Sequence, residues 1–371
     1  RFEGVADVLI EPGMARQDPS CVHFGLCGGC RWQDLAYESQ LQLKETMVRQ
    51  SFERRGIEPH TWHSIVPSPD TYYYRNKMEF SFGTDREGQL QLGLHVRERY
   101  NRVFDLEFCL LQSESSNQIV DSFRRHALAL ELPVYDLKSH EGLLRFLVVR
   151  DAKGTSETMV SLVVSEYPSS AVDDLLTAVL ADVGSQITTC VVTRHSGKAQ
   201  VAKGEAEFPI KGTGRITEIC GGVEFEVSPQ SFFQTNTRAA AGLYGLVDKL
   251  LGEIGDADVL DLYAGTGGVS LHLARAAKSV VGVEEVAEAV EDARRNAERN
   301  GIKNCTFLAE RSEVFLDELR VEEGERFDVI VTDPPRAGMH KKALTGIVAL
   351  GPPTLIYISC NAETLAEDLL V

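Results

Sequence analysis

Val259 to Ser270 reads VLDLYAGTGGVS. Apolar strand residues lead to Asp261, a loop carries Gly265, Gly267 and Gly268, and a helical pattern follows. Glycines at such a turn let the backbone bend tightly and a ligand approach closely. The strand runs DVLDLY, SVVGVE, CTFL, FDVIVTD and TLIYIS alternate with helical stretches from residue 231 onward. That alternation predicts βαβ units and a doubly wound parallel α/β sheet over 231–371. Residues 72–230 read differently. MEFSFG, LQLGLHV, LRFLVVRD, TMVSLVVSE, TTCVVTR and VEFEVSP alternate apolar and polar residues between turns. They predict a mostly antiparallel sheet in an α+β domain, with helices at about 113–130 and 169–182.

The loop departs from the dinucleotide fingerprint G-x-G-x-x-G, because Ser270 stands at its third glycine position. Asp261 would sit badly beside a pyrophosphate. An acidic strand end suits a ligand with a cationic amino group, such as S-adenosylmethionine. Glu284 ends the second strand, where a carboxylate can accept both ribose hydroxyls.

Length and composition fit two or three globular domains. The chain has 371 residues, 43% hydrophobic and 25% charged, with 38 Lys and Arg against 55 Asp and Glu. No apolar run approaches the ~18 residues a membrane span needs. The net charge of −17 argues on its face against a phosphate-rich partner. Its distribution weakens that argument. Residues 216–371 carry a net −12, and residues 1–215 only −5. Tyr72 to Arg102 is locally positive, with Arg75, Lys77, Arg86, Arg97, Arg99 and Arg102.

Both ends read as cut. Residue 1 is Arg, no signal peptide follows, and Ala362 to Val371 reads as the start of an amphipathic helix. Gly4 to Ile10 is strand-like, and a Pro/Gly linker follows it. Leu35 to Arg55 predicts a helix stopped by Gly56.

Phe327 to Arg336 reads FDVIVTDPPR. A buried strand ends in Asp333, and the rigid Pro-Pro holds its carboxylate at the sheet edge where ligands bind in such folds. Amino-methylating enzymes usually follow Asp-Pro-Pro with an aromatic residue that stacks on the target base. Arg336 stands there and favours a different methyl acceptor. Thr354 to Asn361 reads TLIYISCN, so Cys360 emerges at the same edge, where a thiol can serve as a nucleophile. Cys21, Cys27 and Cys30 have C-x5-C-x2-C spacing, and Cys109 is the nearest later fourth ligand. The chemistry of these thiols leaves zinc and an iron–sulfur cluster both open. Cys190, Cys220 and Cys305 lie in strand-like runs and read as core.

The motifs CVHFGLCGGCRWQ, YRNKMEFSFG, SPQSFFQTNT, DLYAGTGG, DPPRAG and ISCN together resemble the RNA uracil-5-methyltransferase family, over about residues 4–371. Its members make 5-methyluridine in tRNA and 23S rRNA. The resemblance to its iron–sulfur branch implies a 4Fe-4S cluster on Cys21, Cys27, Cys30 and Cys109. It implies S-adenosylmethionine contacts from Gln234, Tyr263, Gly265, Gly267, Glu284 and Asp333, and it makes Cys360 the nucleophile, with Asp333 orienting the uracil. It divides the chain into a remnant of an RNA-binding barrel (1–20), a central cluster and RNA-binding domain (21–230) and a methyltransferase domain (231–371). The helix near 35–55 is expected to dock on the last. Family members continue past ISCN to complete the sheet and carry a Glu there as proton-abstracting base. No base is therefore assigned within residues 1–371.

The expected protein is a cytoplasmic monomer that methylates rRNA or tRNA at a flipped-out uridine. Tyr72, Tyr73 and Tyr74 read equally as base-stacking residues or as sheet packing. Two other classes compete. An amino-group methyltransferase is disfavoured by Arg336 and Cys360. A non-catalytic RNA-binding iron–sulfur protein would have no use for Cys360, Asp333 and the glycine loop together.

Overall fold

The computed structural model describes residues 13–14, 16–321 and 326–371. The strand-like piece Gly4 to Ile10 lies outside them. The helix expected at 35–55 is α1 (Tyr37–Glu53), and Gly56 follows it with φ +66°.

Five of the six alternating runs form β1 (Lys77–Thr84), β2 (Leu90–Val96), β4 (Leu144–Asp151), β5 (Thr158–Val164) and β6 (Thr189–Arg194); β3 (Arg99–Asp105) and β7 (Ala206–Lys211) were not read from the sequence, and VEFEVSP falls in a separate hairpin rather than in this sheet. The seven strands make one sheet in the order β3-β2-β1-β4-β5-β6-β7. β5 and β6 pair in parallel, and the remaining neighbours are antiparallel. Helices α2 (Glu114–Ala129) and α3 (Ser170–Val183) cover one face. Phe80, Leu92, Phe123, Leu147, Leu162 and Leu175 fill the core between them. The β-branched and aromatic content of β4 and β5 suits their central place, buried along nearly their whole length. β3 is an edge strand whose first four residues are exposed.

A hairpin, β8 (Ile216–Cys220) and β9 (Val223–Val227), and helix α4 (Thr237–Leu251) lead into the second sheet. There β10 (Asp258–Leu262), β11 (Ser279–Glu284), β12 (Cys305–Ala309), β13 (Val329–Thr332) and β14 (Thr354–Tyr357) run parallel in the order β12-β11-β10-β13-β14. The helices between and after them are α5 (Gly268–Leu273), α6 (Ala287–Arg299), α7 (Ser312–Val321), α8 (Lys341–Leu350) and α9 (Ala362–Asp368). Both faces of the sheet are covered. Val259 packs into one core with Val280, Val290 and Leu271, and Leu260 and Leu262 pack into another with Leu316, Leu344 and Ile347. Strand order reverses between β10 and β13, which opens a crevice at their carboxyl ends.

Asp261 departs from its expected role at a ligand-facing strand end. It lies inside β10, 1% exposed, and accepts a hydrogen bond from Ser270 Oγ. Strand alternation points it beneath the glycine loop rather than into the crevice.

Glu218, in β8, ties the turn after β4 to the start of α4. Its buried carboxylate accepts bonds from the Lys153 and Gly154 amides at 2.9 and 2.7 Å and from Thr237 Oγ1 at 2.7 Å. A second joint runs from α1 to α9. Ser51 Oγ, Arg54 Nη2 and Arg55 Nη1 donate to the Glu363 carboxylate at 2.8, 2.6 and 2.7 Å. No helix among the described residues is long and apolar enough to cross a membrane.

Candidate active site

Four segments meet at the carboxyl edge of the parallel sheet. The first is the loop after β10. Tyr263 adopts φ +64°, and Gly265 and Gly267 adopt +55° and +87°. A Cβ at Gly265 would meet nothing within 4 Å, so this backbone faces open space. A Cβ at Gly267 would press on Phe307 at 3.0 Å, and one at Gly268 would lie 2.5 Å from the Tyr244 hydroxyl. A side chain at Gly267 or Gly268 would therefore crowd its neighbours, whereas the Gly265 position is open. Burial raises the pKa of the Tyr263 phenol.

The second segment is the end of β11. The Gly265 amide donates to Glu284 Oε2 at 3.0 Å and the Val286 amide to Oε1 at 2.9 Å. Each carboxylate oxygen keeps acceptor capacity for a diol. The third is Asp333, directly after β13. Burial pushes its carboxyl above the usual range. Gln234 Nε2 donates to its Oδ2 at 3.5 Å, so the SFFQTNT segment reaches this edge although it precedes the sheet by some distance in sequence.

The fourth is the turn after β14. Cys360 is exposed. The Asn361 side chain caps α9 by accepting from the Glu363 amide at 3.1 Å, and its Nδ2 donates to the Arg336 carbonyl at 3.1 Å. Thr364 Oγ1 donates to the same carbonyl at 3.4 Å. The Asp-Pro-Pro-Arg loop and the cysteine turn are therefore stitched together. Because Thr332 pairs with Tyr357, Asp333 and Cys360 leave neighbouring strands on one side.

Sequence reasoning missed the residues that hold the SFFQTNT segment. Arg150, buried in β4, donates from Nη2 to the Pro229 carbonyl at 3.3 Å and to the Ser231 carbonyl. Burial lowers its pKa to about 10. Asn76 Nδ2 donates to the Gln234 carbonyl at 2.7 Å, and the Asn76 amide to the Thr235 carbonyl at 2.9 Å. Ser231 Oγ donates to Asp292 Oδ2 at 2.6 Å. The one available signal was an arginine inside the apolar run LRFLVVRD.

Away from this edge, Cys21, Cys27, Cys30 and Cys109 line a single cavity of about 1860 Å³. The Gly29 amide donates to Cys27 Sγ at 3.3 Å. Burial raises the pKa of Cys27, Cys30 and Cys109, and neighbouring thiols raise it further. Among the described residues no group of three or more His, Cys, Asp or Glu is arranged to hold a metal ion. Tyr72, Tyr73 and Tyr74 lie in the segment before β1 rather than in a strand. The Tyr73 amide donates to the Leu110 carbonyl at 2.7 Å, beside Cys109. Cys190 and Cys220 are buried, and burial raises the Cys305 thiol to about 12, in keeping with core positions.

Residues 220–370 match the family described as tRNA (uracil-5-)-methyltransferase. An uncharacterized RNA methyltransferase of Caldanaerobacter subterraneus subsp. tengcongensis is 37% identical over 370 residues, covering 100% of this chain and 81% of the relative. A second, from Chlorobaculum tepidum, is 37% identical over 383 residues, covering 99% and 79%. Among solved structures, the tRNA (uracil-54, C5)-methyltransferase of Pyrococcus abyssi, in complex with S-adenosyl-L-homocysteine, superposes with a TM-score of 0.74 at 27% identity. It covers 93% of this chain and 79% of that one.

Proposed function

The chain belongs to the RNA uracil-5-methyltransferase family, S-adenosylmethionine-dependent enzymes acting on RNA, and from that membership we propose that it methylates C5 of a uridine in rRNA or tRNA through a covalent adduct on Cys360. One arrangement supports this most: the Cys360 turn is bonded to the Asp-Pro-Pro-Arg loop, at the edge that also carries the glycine loop and Glu284.

Uracil C5 is a weak nucleophile. The Cys360 thiolate adds to C6, forming a C6–Sγ bond and moving the ring electrons to C5 and O4. C5 then displaces the methyl carbon from the sulfonium, which leaves as the neutral thioether. A base removes the C5 proton, the C6–Sγ bond breaks, and the thiolate returns. S-adenosylmethionine supplies an electrophilic methyl group. Glu284 would accept its ribose hydroxyls, and Tyr263 and the backbone of Gly265 and Gly267 would help to hold it. Asp333, held by Gln234, meets the uracil edge. Burial raises the pKa of its carboxyl, and the side chain can hydrogen-bond the uracil edge. A uridine within folded RNA must be turned out of its stack to reach this edge.

Cys21, Cys27, Cys30 and Cys109, which line one cavity, would hold a 4Fe-4S cluster, and their donor chemistry supports that reading. Four cysteines are the donor set such a cluster takes. The Gly29 amide already directed at Cys27 Sγ suits a charged thiolate. These residues do nothing in the methyl transfer above. Their place is in the fold of the segment 21–111, which we take as part of a central cluster and RNA-binding domain.

The test is nucleoside mass spectrometry on RNA treated with the protein and S-adenosylmethionine. The expected product is 5-methyluridine, absent with Cys360→Ala. An N-methylated base instead would overturn the assignment of C5.

A further inference from the structure

We propose that a groove on the exposed edge of the seven-stranded sheet is a docking site for the phosphodiester backbone of RNA, built on Arg86, Arg99 and Arg102. The groove has a volume of about 410 Å³, and its walls include Leu26, Val96, Val103 and Phe104. It rests on the proposed action on RNA and adds to it a second, remote point of contact.

Three observations carry it. The first is charge without partners. Arg54, Arg55, Arg124, Arg125, Arg295 and Arg299 each meet a carboxylate. Arg86, Arg99 and Arg102 are exposed, and none of the ion pairs or side-chain hydrogen bonds among the described residues involves them. Asp85 also lines the groove, but its Oδ1 accepts the Glu87 and Gln89 amides of its own turn at 2.9 and 2.8 Å. In a chain of net charge −17, three guanidinium groups left free in one groove call for an external polyanion.

The second is rigidity. The Arg97 amide donates to the Leu26 carbonyl at 2.8 Å and the Gly28 amide to the His95 carbonyl at 3.3 Å. Cys27 pairs with Val96 as an isolated bridge. The cysteine loop thus fixes one wall of the groove, so binding a backbone there orders little new chain.

The third is continuity. Val96 and Arg99 line both this groove and the large thiol-lined cavity. Tyr100, 85% exposed and next in sequence to Arg99, lines the large cavity. The large cavity continues past Arg31, Lys44, Arg75 and Lys77 to Phe232 and Phe233, in the segment that carries Gln234. A single RNA strand laid from the groove over Tyr100 would be led to the catalytic edge, with a base free to stack on the ring.

The experiment measures RNA binding against salt for wild type, the triple Ala variant (Arg86→Ala, Arg99→Ala, Arg102→Ala) and the triple Lys variant. Three lost phosphate contacts should flatten the slope of log K against log salt by about 2. The triple Ala variant should show a rise of roughly tenfold or more in the KM for RNA at low salt. Its kcat at saturating RNA and its KM for S-adenosylmethionine should stay at wild-type values, as should its thermal transition. The triple Lys variant should keep most of the slope. An unchanged slope in the Ala variant would overturn the groove, including the case in which the arginines serve an acidic protein. Failure of the wild-type protein to methylate RNA is a separate result, read in the same assay, and bears on the proposed reaction alone.

Discussion

Single residues divide here by whether their reach is local. Glu284 ends β11, and Asp333 and Cys360 follow β13 and β14, so a strand-end position in the sequence was enough to bring them to one edge. Asp261 was misplaced for the same reason in reverse: it sits one residue inside β10, and its side chain turns to the interior and to Ser270. Burial pushes its carboxyl up to about 7 from an ordinary value of 3.8, with Asp333 and Glu284 adding to the rise. The folded chain therefore holds this proton more tightly than the unfolded chain does. The stabilisation is full below the unfolded value and is lost as pH climbs toward 7. Asp261→Asn keeps an acceptor for Ser270 without the charge. Relative to wild type it should gain on the order of a few kcal/mol as pH rises through that window. Denaturant titrations at a series of pH values check this, and a constant difference across pH would contradict it. Arg150 and Asn76 were not legible as positioning residues, because their partners lie about eighty and 160 positions away along the chain.

At the scale of elements, periodicity served well. α1, α2 and α3 begin and end within two residues of expectation, and every parallel strand that was read from its apolar run is present. What periodicity could not supply was which elements touch. The bonds from α1 to Glu363 tie a helix that follows the cysteine loop to one that follows Cys360. The cysteine loop itself is bound to the β2–β3 hairpin through Leu26, Gly28 and His95. A loop so short of helix and strand needs a further tie, which four thiols around one cavity can provide. Anaerobically purified protein should carry about four irons per chain with thiolate-to-iron absorption, and Cys109→Ser should lose both. Iron-free protein that is fully folded would contradict the cluster.

The molecule as a whole is an acidic protein with a basic path. The net charge suggested a partner other than nucleic acid, yet the acid is concentrated in residues 216–371 and the free arginines sit on the far edge of the other sheet. Glu218 ties the turn after β4 to the start of α4, and Arg150 and Asn76 bond to the SFFQTNT segment. RNA held in the proposed groove of one sheet would thereby be set against the edge of the other. All of this turns on Cys360 forming a bond to the base. RNA carrying 5-fluorouridine lacks the C5 proton that must leave, so the adduct should accumulate once the methyl group has been transferred. Incubated with S-adenosylmethionine and this RNA, the wild-type protein should form a complex that survives denaturing electrophoresis and maps to Cys360, and Cys360→Ala should form none. A covalent complex of equal yield in the variant would remove Cys360 from the reaction.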